Sequence, residues 1–251
     1  MNRRRHPGTA ALVLAAGQGK RMKSDLPKVL HPMAGQPLLA HVLRTLDELG
    51  IGRVLVVIGH QRDRVRALFA ESEVEWVEQV EQNGTGHAVL MAGRALEAFE
   101  GTLLVVPGDA PLLRAETLNT LLEQHAESGA AVTVLSMRMP DPTGYGRIVR
   151  EPDGTIRAIV EDRDATPEQR ALDEVNSAIY AFDYLALVTV LAQLTAHNAQ
   201  GEYYLTDTVT LLKRAGKKAG VICAPDYREL MGINTVEQLQ EAEQVHRSRD
   251  G

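Results

Sequence analysis

Five basic side chains crowd the stretch Leu12 to Gly35, LVLAAGQGKRMKSDLPKVLHPMAG: Lys20, Arg21, Lys23, Lys28 and, when protonated, His31. They follow a greasy run and two glycines, a combination suited to an anion. Gly17 and Gly19 let backbone amides come close to a phosphate. Arg21 adds a forked donor and Lys28 a point charge. Two common phosphate motifs fail on this stretch. A P-loop would need glycine where Leu14 stands and a hydroxyl where Arg21 stands. The dinucleotide fingerprint matches Gly17 and Gly19 but meets Met22, and the next strand ends in Gly59 instead of an acid.

Other residues could work with that charge. Asp109 closes the run TLLVVPGD, and a carboxylate at the end of a strand suits Mg²⁺, which takes hard oxygen ligands and keeps waters and substrate phosphates as its others. Asp109 also reads as a turn residue or helix cap before APLL. In EQNGTGHA, Gly84, Thr85 and Gly86 allow a close backbone approach, and a glutamine amide can both donate to and accept from a pyrimidine edge. His87 reads better as a structural residue of a helix's first turn than as a base. Asn234 reads as an N-cap before TVEQL, Glu161 as the head of an exposed EDRD charge run, and Cys223 in GVICA as a small buried hydrophobe.

The elements that must position these groups alternate along the chain. TAALVLAAG, RVLVVIG, TLLVVPGD and AVTVLSM are nearly continuous apolar runs, as in strands covered on both faces. Between them, Leu38, Leu39, Val42, Leu43, Leu46 and Leu49 fall at helical spacing before Gly50. Val65, Leu68 and Phe69 mark a short helix, Thr85 to Phe99 a longer one, and Leu118, Leu121 and Leu122 another. VEWVEQ alternates like a strand. GRIVREPDGTIRAIVE predicts a hairpin with an Asp-Gly turn, and NSAIYAF, two helical stretches, GVICA and a charged amphipathic helix from about Thr235 complete the chain. Repeated strand–helix units with apolar strands predict an α/β fold, a mainly parallel sheet with helices on both faces and a β-rich insertion after Met139. The expectation is one domain over residues 1–251.

Composition narrows the setting. The chain of 251 residues carries a formal charge of −6, against a general nucleic-acid binder. Its apolar fraction of 44% is that of a globular protein, and no apolar run is long enough for a membrane span. One cysteine excludes an internal disulfide and fits a reducing compartment, so the cytoplasm is expected. MNRRRHPG reads as a frayed tail, not a signal peptide.

The segment LAAGQGKRMKSDLPKVLHPMAGQPLL resembles the signature of sugar-phosphate nucleotidyltransferases, Gly-x-Gly-x-Arg-Met…Pro-Lys. SDLPKVLHPMAG is similar to the uridyltransferase domains of the bacterial bifunctional N-acetylglucosamine-1-phosphate uridyltransferase/glucosamine-1-phosphate acetyltransferases. The resemblance continues through EQNGTGHAV, PGDAPLL, PTGYGRIVR, IVEDRDAT, EVNSAIYAF and GEYYLTD, from about Leu12 to Asn234. It implies a Rossmann-like nucleotidyltransferase fold, with nucleotide bound by residues of about 10–140, sugar by about 141–234, and a C-terminal helix over 235–251.

The same resemblance implies roles. Arg21, Lys28 and Asp109 would be catalytic, and Asp109 with Asn234 would hold Mg²⁺. Leu14, Ala15, Ala16 and Gly17 would line the nucleotide site, with Gln79, Gly84 and Thr85 reading uracil. Gly146, Glu161 and Asn176 would contact N-acetylglucosamine, and Tyr204 and Thr206 would lie near the sugar-phosphate end. The expected substrates are UTP and N-acetylglucosamine-1-phosphate, and the products UDP-N-acetylglucosamine and pyrophosphate. The alternatives are another sugar-1-phosphate nucleotidyltransferase, using glucose-1-phosphate with UTP or TTP, and a nucleotide-sugar-binding domain without turnover. Two departures stand out. Lys20 occupies a position where the family often has Thr, and nothing after Asn234 resembles the hexapeptide-repeat β-helix of the acetyltransferase. The expectation is therefore no acetyltransferase activity and, without that trimerising part, a monomer.

Overall fold

In the computed structural model the described residues are 6–250, without the side chains of Lys20 and Asp250. Most of the expected frayed tail and the charge of Lys20 at a triphosphate therefore fall outside the described residues.

Strand β1 (Thr9–Leu14) is the axis of the sheet. It pairs in parallel with β4 (Val54–Ile58) on one side and β6 (Thr102–Pro107) on the other. Beyond β4 lies β5 (Glu75–Glu78), again parallel, as an edge. Beyond β6 the direction reverses: β10 (Glu174–Asp183) is antiparallel to β6 and to β7 (Val132–Arg138), and β11 (Ala219–Cys223) ends the sheet parallel to β7. The hairpin β8 (Arg147–Arg150) and β9 (Ile156–Val160) hangs from β10. Its turn places Gly154 at φ 84°, a conformation glycine adopts without cost. A small hairpin, β2 (Pro32–Met33) and β3 (Gln36–Pro37), lies apart from the main sheet.

Alternate residues of β1 feed opposite cores because strand side chains alternate. Ala10 and Leu12 pack beneath α3 (Thr85–Met91), α6 (Tyr184–Leu191) and α7 (Asp207–Arg214). Ala11 and Val13 pack beneath α1 (Leu38–Leu49), α2 (Arg62–Leu68) and α4 (Ala115–Ser128). Side chains such as Leu12, Leu55 and Leu103 are fully buried, each contributing about 1.5–3 kcal/mol through loss of contact with water. The single-turn α5 (Pro167–Arg170) opens with a capping box from Thr166. The last helix, α8 (Val236–Asp250), buries Ala242 against Met22, Met33, Leu112 and Ile233, and so braces the basic segment after β1.

The structure departs from the sequence expectations at several places. The helix expected over Thr85 to Phe99 is regular only to Met91. Gly93 then introduces turns, although Ala92 and Leu96 remain buried, so the periodicity carried burial further than it carried the helix. Of the three apolar residues whose spacing marks α2, Val65 and Phe69 are buried and Leu68 is exposed. Cys223, expected to be buried, is also exposed, because β11 is an edge strand paired on one side only. No helix among the described residues is long and apolar enough to cross a membrane.

Candidate active site

The sheet order reverses around β1, since the chain goes from β1 outward to β5 and then returns to β6 on the other side. Ligands of open α/β sheets bind beyond the carboxyl ends of strands at such a switch point. A cavity of about 580 Å³ opens there. Its floor is the end of β1: Leu14, Ala15, Ala16 and Gly17 all line it. A β-carbon on Gly17 would meet nothing within 4 Å, so this missing side chain leaves room in the cavity mouth. Gly19 has a different role: its φ is 63°, and a β-carbon there would collide with Cβ of Lys28 at 2.7 Å. The glycine lets the lysine stem pack directly on the loop.

Lys28, Asp109 and Asn234 converge in the wall, brought from three distant parts of the chain. Lys28 Nζ forms an ion pair with Asp109 Oδ2 and donates to Asn234 Oδ1 at 3.1 Å. Asp109 stands just past β6 as expected. Gly108 before it donates its N–H to the Leu14 carbonyl at 2.9 Å, and Ile233 N donates to the Asp109 carbonyl at 2.8 Å. Gly232 faces the Asp109 carboxylate so closely that a β-carbon would lie 3.2 Å from Oδ1. The N-cap of α8 is Thr235, whose Oγ1 accepts from Gln238 N at 3.2 Å, not Asn234 as the sequence suggested. Asn234 donates through Nδ2 to the Gly232 carbonyl at 3.1 Å, which leaves Oδ1 to Lys28. Arg21 sits exposed on the 3-10 turn Lys20–Met22, outside the cavity lining.

On a second wall, Gln79 follows β5 and is buried. Its Nε2 donates to the Gly84 carbonyl at 3.0 Å and meets His87 Nδ1 at 3.1 Å. That contact gives His87 the structural role expected of it and fixes which end of the Gln79 amide remains uncommitted. Gly84, at φ 101°, is required by a protein contact: its β-carbon would lie 2.6 Å from the Tyr203 carbonyl. Thr85 Oγ1 accepts from Leu205 N at 3.1 Å. The close approach read from this glycine in the sequence is thus made by the loop before α7.

On the far wall, Asn176 is aimed by a bulge in β10 between Asn176 and Ile179, with Ala178 in the left-handed region at φ 62°. Asn176 Oδ1 accepts from Ala178 N at 3.1 Å and Nδ2 donates to the Tyr180 hydroxyl at 2.6 Å. Behind it lie Gly146, Glu161, Tyr204 and Thr206, none of which lines the cavity itself. Thr206 Oγ1 donates to Glu161 Oε1 at 3.0 Å. The Cα of Gly146 faces that carboxyl, since a β-carbon would lie 3.5 Å from it. Glu161 is partly buried, not the exposed head of a charge run. Desolvation holds its carboxyl above the usual range, opposed by the Thr206 hydroxyl and reinforced by Asp207 and Asp164. The Tyr204 hydroxyl donates to Asp164 Oδ2 at 3.2 Å and accepts from Gln200 Nε2 at 2.9 Å.

Several lining residues escaped the sequence reading, Tyr145, Glu202 and Gln82 among them. Tyr145 presents a buried hydroxyl with no hydrogen-bond partner among the described residues, and burial, then the Asp109 charge, pushes its pKa up to about 12 against the pull of Arg21. Glu202 and Gln82 also line the cavity. Tyr145 and Glu202 fall inside the blocks PTGYGRIVR and GEYYLTD, but nothing in their local pattern distinguishes them from packing residues.

Residues 11–175 match the family described as the MobA-like NTP transferase domain. The chain belongs to this family. Among curated proteins, it is 49% identical over 246 residues to the "Bifunctional protein GlmU" of Thermobifida fusca (strain YX), a match covering 96% of the chain and 51% of the relative. It is 50% identical over 240 residues to the protein of that name from Corynebacterium glutamicum (strain ATCC 13032), covering 93% and 50%. With that of Geobacter metallireducens the identity is 46% over 241 residues, covering 96% and 51%. The chain thus spans about half the length of the curated relatives it matches. Among solved structures, it shares the fold of a putative glucose-1-phosphate thymidylyltransferase from Bacillus anthracis, with TM-score 0.75, 18% identity and 95% coverage of both chains. NTP transferases of this kind typically work with a divalent metal ion.

Proposed function

We propose that the chain transfers UMP from UTP to N-acetylglucosamine-1-phosphate, giving UDP-N-acetylglucosamine and pyrophosphate for cell-wall precursor synthesis. The observation that carries this reading is the meeting of Lys28, Asp109 and Asn234 in the wall of a cavity that also reaches Gln79 and Asn176. The family match and the three relatives, each matched over about half its length, support it.

The donor set fits Mg²⁺. A carboxylate and an amide oxygen already hold a cation between them, and Mg²⁺ commonly takes one or two protein oxygens, completing its shell with water and phosphate. When bound, the ion would supply Lewis-acid polarisation of phosphate oxygens. The protein's own part is chiefly positioning and charge. The attacking group, a phosphate oxygen of the sugar-1-phosphate, is already an anion, so no base is needed. It forms a bond to the α-phosphorus of UTP as the bond to pyrophosphate breaks. Lys28 and Arg21 would offset the repulsion between the two anions and the charge that develops, a contribution typically worth about 10²–10³ in kcat for one well-placed donor. The Ala15–Gly17 backbone would lie along the nucleotide, and the uncommitted acceptor oxygen of Gln79 would receive the uracil N–H. Gly146, Glu161 and Asn176 would face the sugar, with Tyr204 and Thr206 supporting them. The single, exposed cysteine suits a reducing setting, and we place the reaction in the cytoplasm.

The test is pyrophosphate release with Mg²⁺ across a small matrix of nucleoside triphosphates and sugar-1-phosphates. UTP with N-acetylglucosamine-1-phosphate is expected to be the fastest pair. Faster release from TTP or glucose-1-phosphate would move the chain to another nucleotidyltransferase, and no release from any pair would leave a binding domain.

A further inference from the structure

Lys28 stands where a metal ion would have to go. Its ammonium takes both oxygens assigned to the ion, Asp109 Oδ2 and Asn234 Oδ1. The pair is mostly sheltered, with 17% and 11% of the Lys28 and Asp109 side chains exposed, so a bare carboxylate there would be costly and the lysine relieves that cost. The surroundings hold the arrangement. Asn234 is oriented by its own bond to the Gly232 carbonyl, and the lysine stem is packed on Gly19 at its β-carbon. Only the outer methylenes and the ammonium are free to swing, and the loop Gly17–Gly19 lies beside the stem that carries them.

We propose that Lys28 is a placeholder cation: in the ligand-free protein it occupies the metal position, and a triphosphate arriving on the glycine loop draws the ammonium away and opens Asp109 and Asn234 to the ion. Metal and nucleotide then bind synergistically. A divalent ion alone meets a resident positive charge, whereas one that enters with the triphosphate meets a vacated pair of oxygens and an anion that satisfies the displaced lysine. The inference rests on the reading of Asp109 and Asn234 as metal ligands. It assigns to Lys28 a role before the reaction in addition to its role during it.

The experiment measures Mn²⁺ binding to the protein without nucleotide, by electron paramagnetic resonance or calorimetry. The wild type is expected to bind Mn²⁺ weakly. K28M, which keeps an unbranched apolar stem and removes the ammonium, is expected to bind at least tenfold more tightly. K28R retains a cation and is expected to stay weak. The gain in K28M should vanish in the double variant K28M/D109N. Thermal unfolding of each variant establishes that it is folded, and K28Q, which is polar but uncharged, replaces K28M if that variant is not. No gain on removing the charge, with wild-type binding still abolished by D109N, overturns the placeholder and leaves the metal ligands standing. Tight binding that ignores D109N overturns the assignment of the ligands themselves.

Discussion

The two ends of the cavity are built on different principles. Around β1 and β6 the strongest groups of the wall are charges: Gly17 leaves empty space where a side chain would be, and Lys28 pairs with Asp109 while donating to Asn234. Around β8 to β10 the lining residue Asn176, and the Glu161, Thr206 and Tyr204 side chains behind it, are already committed, Asn176 to Tyr180, Thr206 to Glu161 and Tyr204 to Asp164. Arg147, fully buried, locks this second end from behind: it pairs with Asp162 and donates to the carbonyls of Tyr145 and Arg170. A ligand at the first end meets charged groups and can offer each of them a charged partner of its own. A ligand at the second competes with hydrogen bonds that exist before it arrives. Changes at the first end should therefore alter the rate, and changes at the second the fit of one substrate.

The largest effect is expected at the first end. Asp109→Ala should lower pyrophosphate release by about a thousandfold or more, with an unchanged circular dichroism spectrum, because it removes the carboxylate that pairs with Lys28 and would hold the metal ion. Near-normal turnover would remove it from the metal site. Next, Gly17→Ala should raise the KM for UTP by about 10- to 100-fold, matching the 1–3 kcal/mol that a methyl without room typically costs, while thermal stability stays near wild type because no protein atom is in the way. At the second end, Thr206→Val should raise the KM for the sugar-1-phosphate about two- to tenfold and leave that for UTP alone, since one hydrogen bond is worth about 0.5–1.5 kcal/mol. If both KM values rose together, the two ends would not be separable.

The pH dependence of stability sharpens the contrast. Burial raises the Glu161 carboxyl above its ordinary 4.5, so the folded state prefers it protonated. Below pH 4.5 it is protonated in folded and unfolded chains alike and costs nothing. As pH rises through 4.5 toward its raised value the unfolded chain ionises first, and folding loses stability. The melting temperature of E161Q relative to wild type should therefore climb with pH across that window and level off above it. A falling difference would mean that the carboxylate is stabilised as an anion. The smallest effect is reserved for Cys223→Ser on the exposed edge, expected to lie within about 0.5 kcal/mol of wild type in denaturant unfolding.

The same contrast explains what could be read from the amino-acid sequence. The strands announced themselves because burial on both faces leaves unbroken apolar runs, and α1 ends at Gly50 in the left-handed conformation as its pattern required. The glycines and cations of the first end were visible because they sit in one short segment after β1. The second end was visible only through family resemblance. Taken alone, Glu161 reads as a surface charge because its burial is created by Thr206 and Gly146, which are remote in sequence. Gly84 was seen as special for a ligand, but its contact is the Tyr203 carbonyl, made by a loop that no local pattern predicts. Tyr145 went unnoticed for the same reason: an unpaired hydroxyl is a property of the assembled cavity. Cys223 was misplaced because an apolar run does not say whether its strand has one neighbour or two.

The central claim is that one cavity, at the carboxyl ends of β1 and β6, holds nucleotide and sugar together. A crystal structure with UDP-N-acetylglucosamine tests it most directly. The account predicts uracil against Gln79 and Gly84, the diphosphate over Gly17 with Lys28 turned toward it, and the sugar against Asn176 and Glu161. Ligand found elsewhere, with this cavity empty and Lys28 still on Asp109, would contradict it.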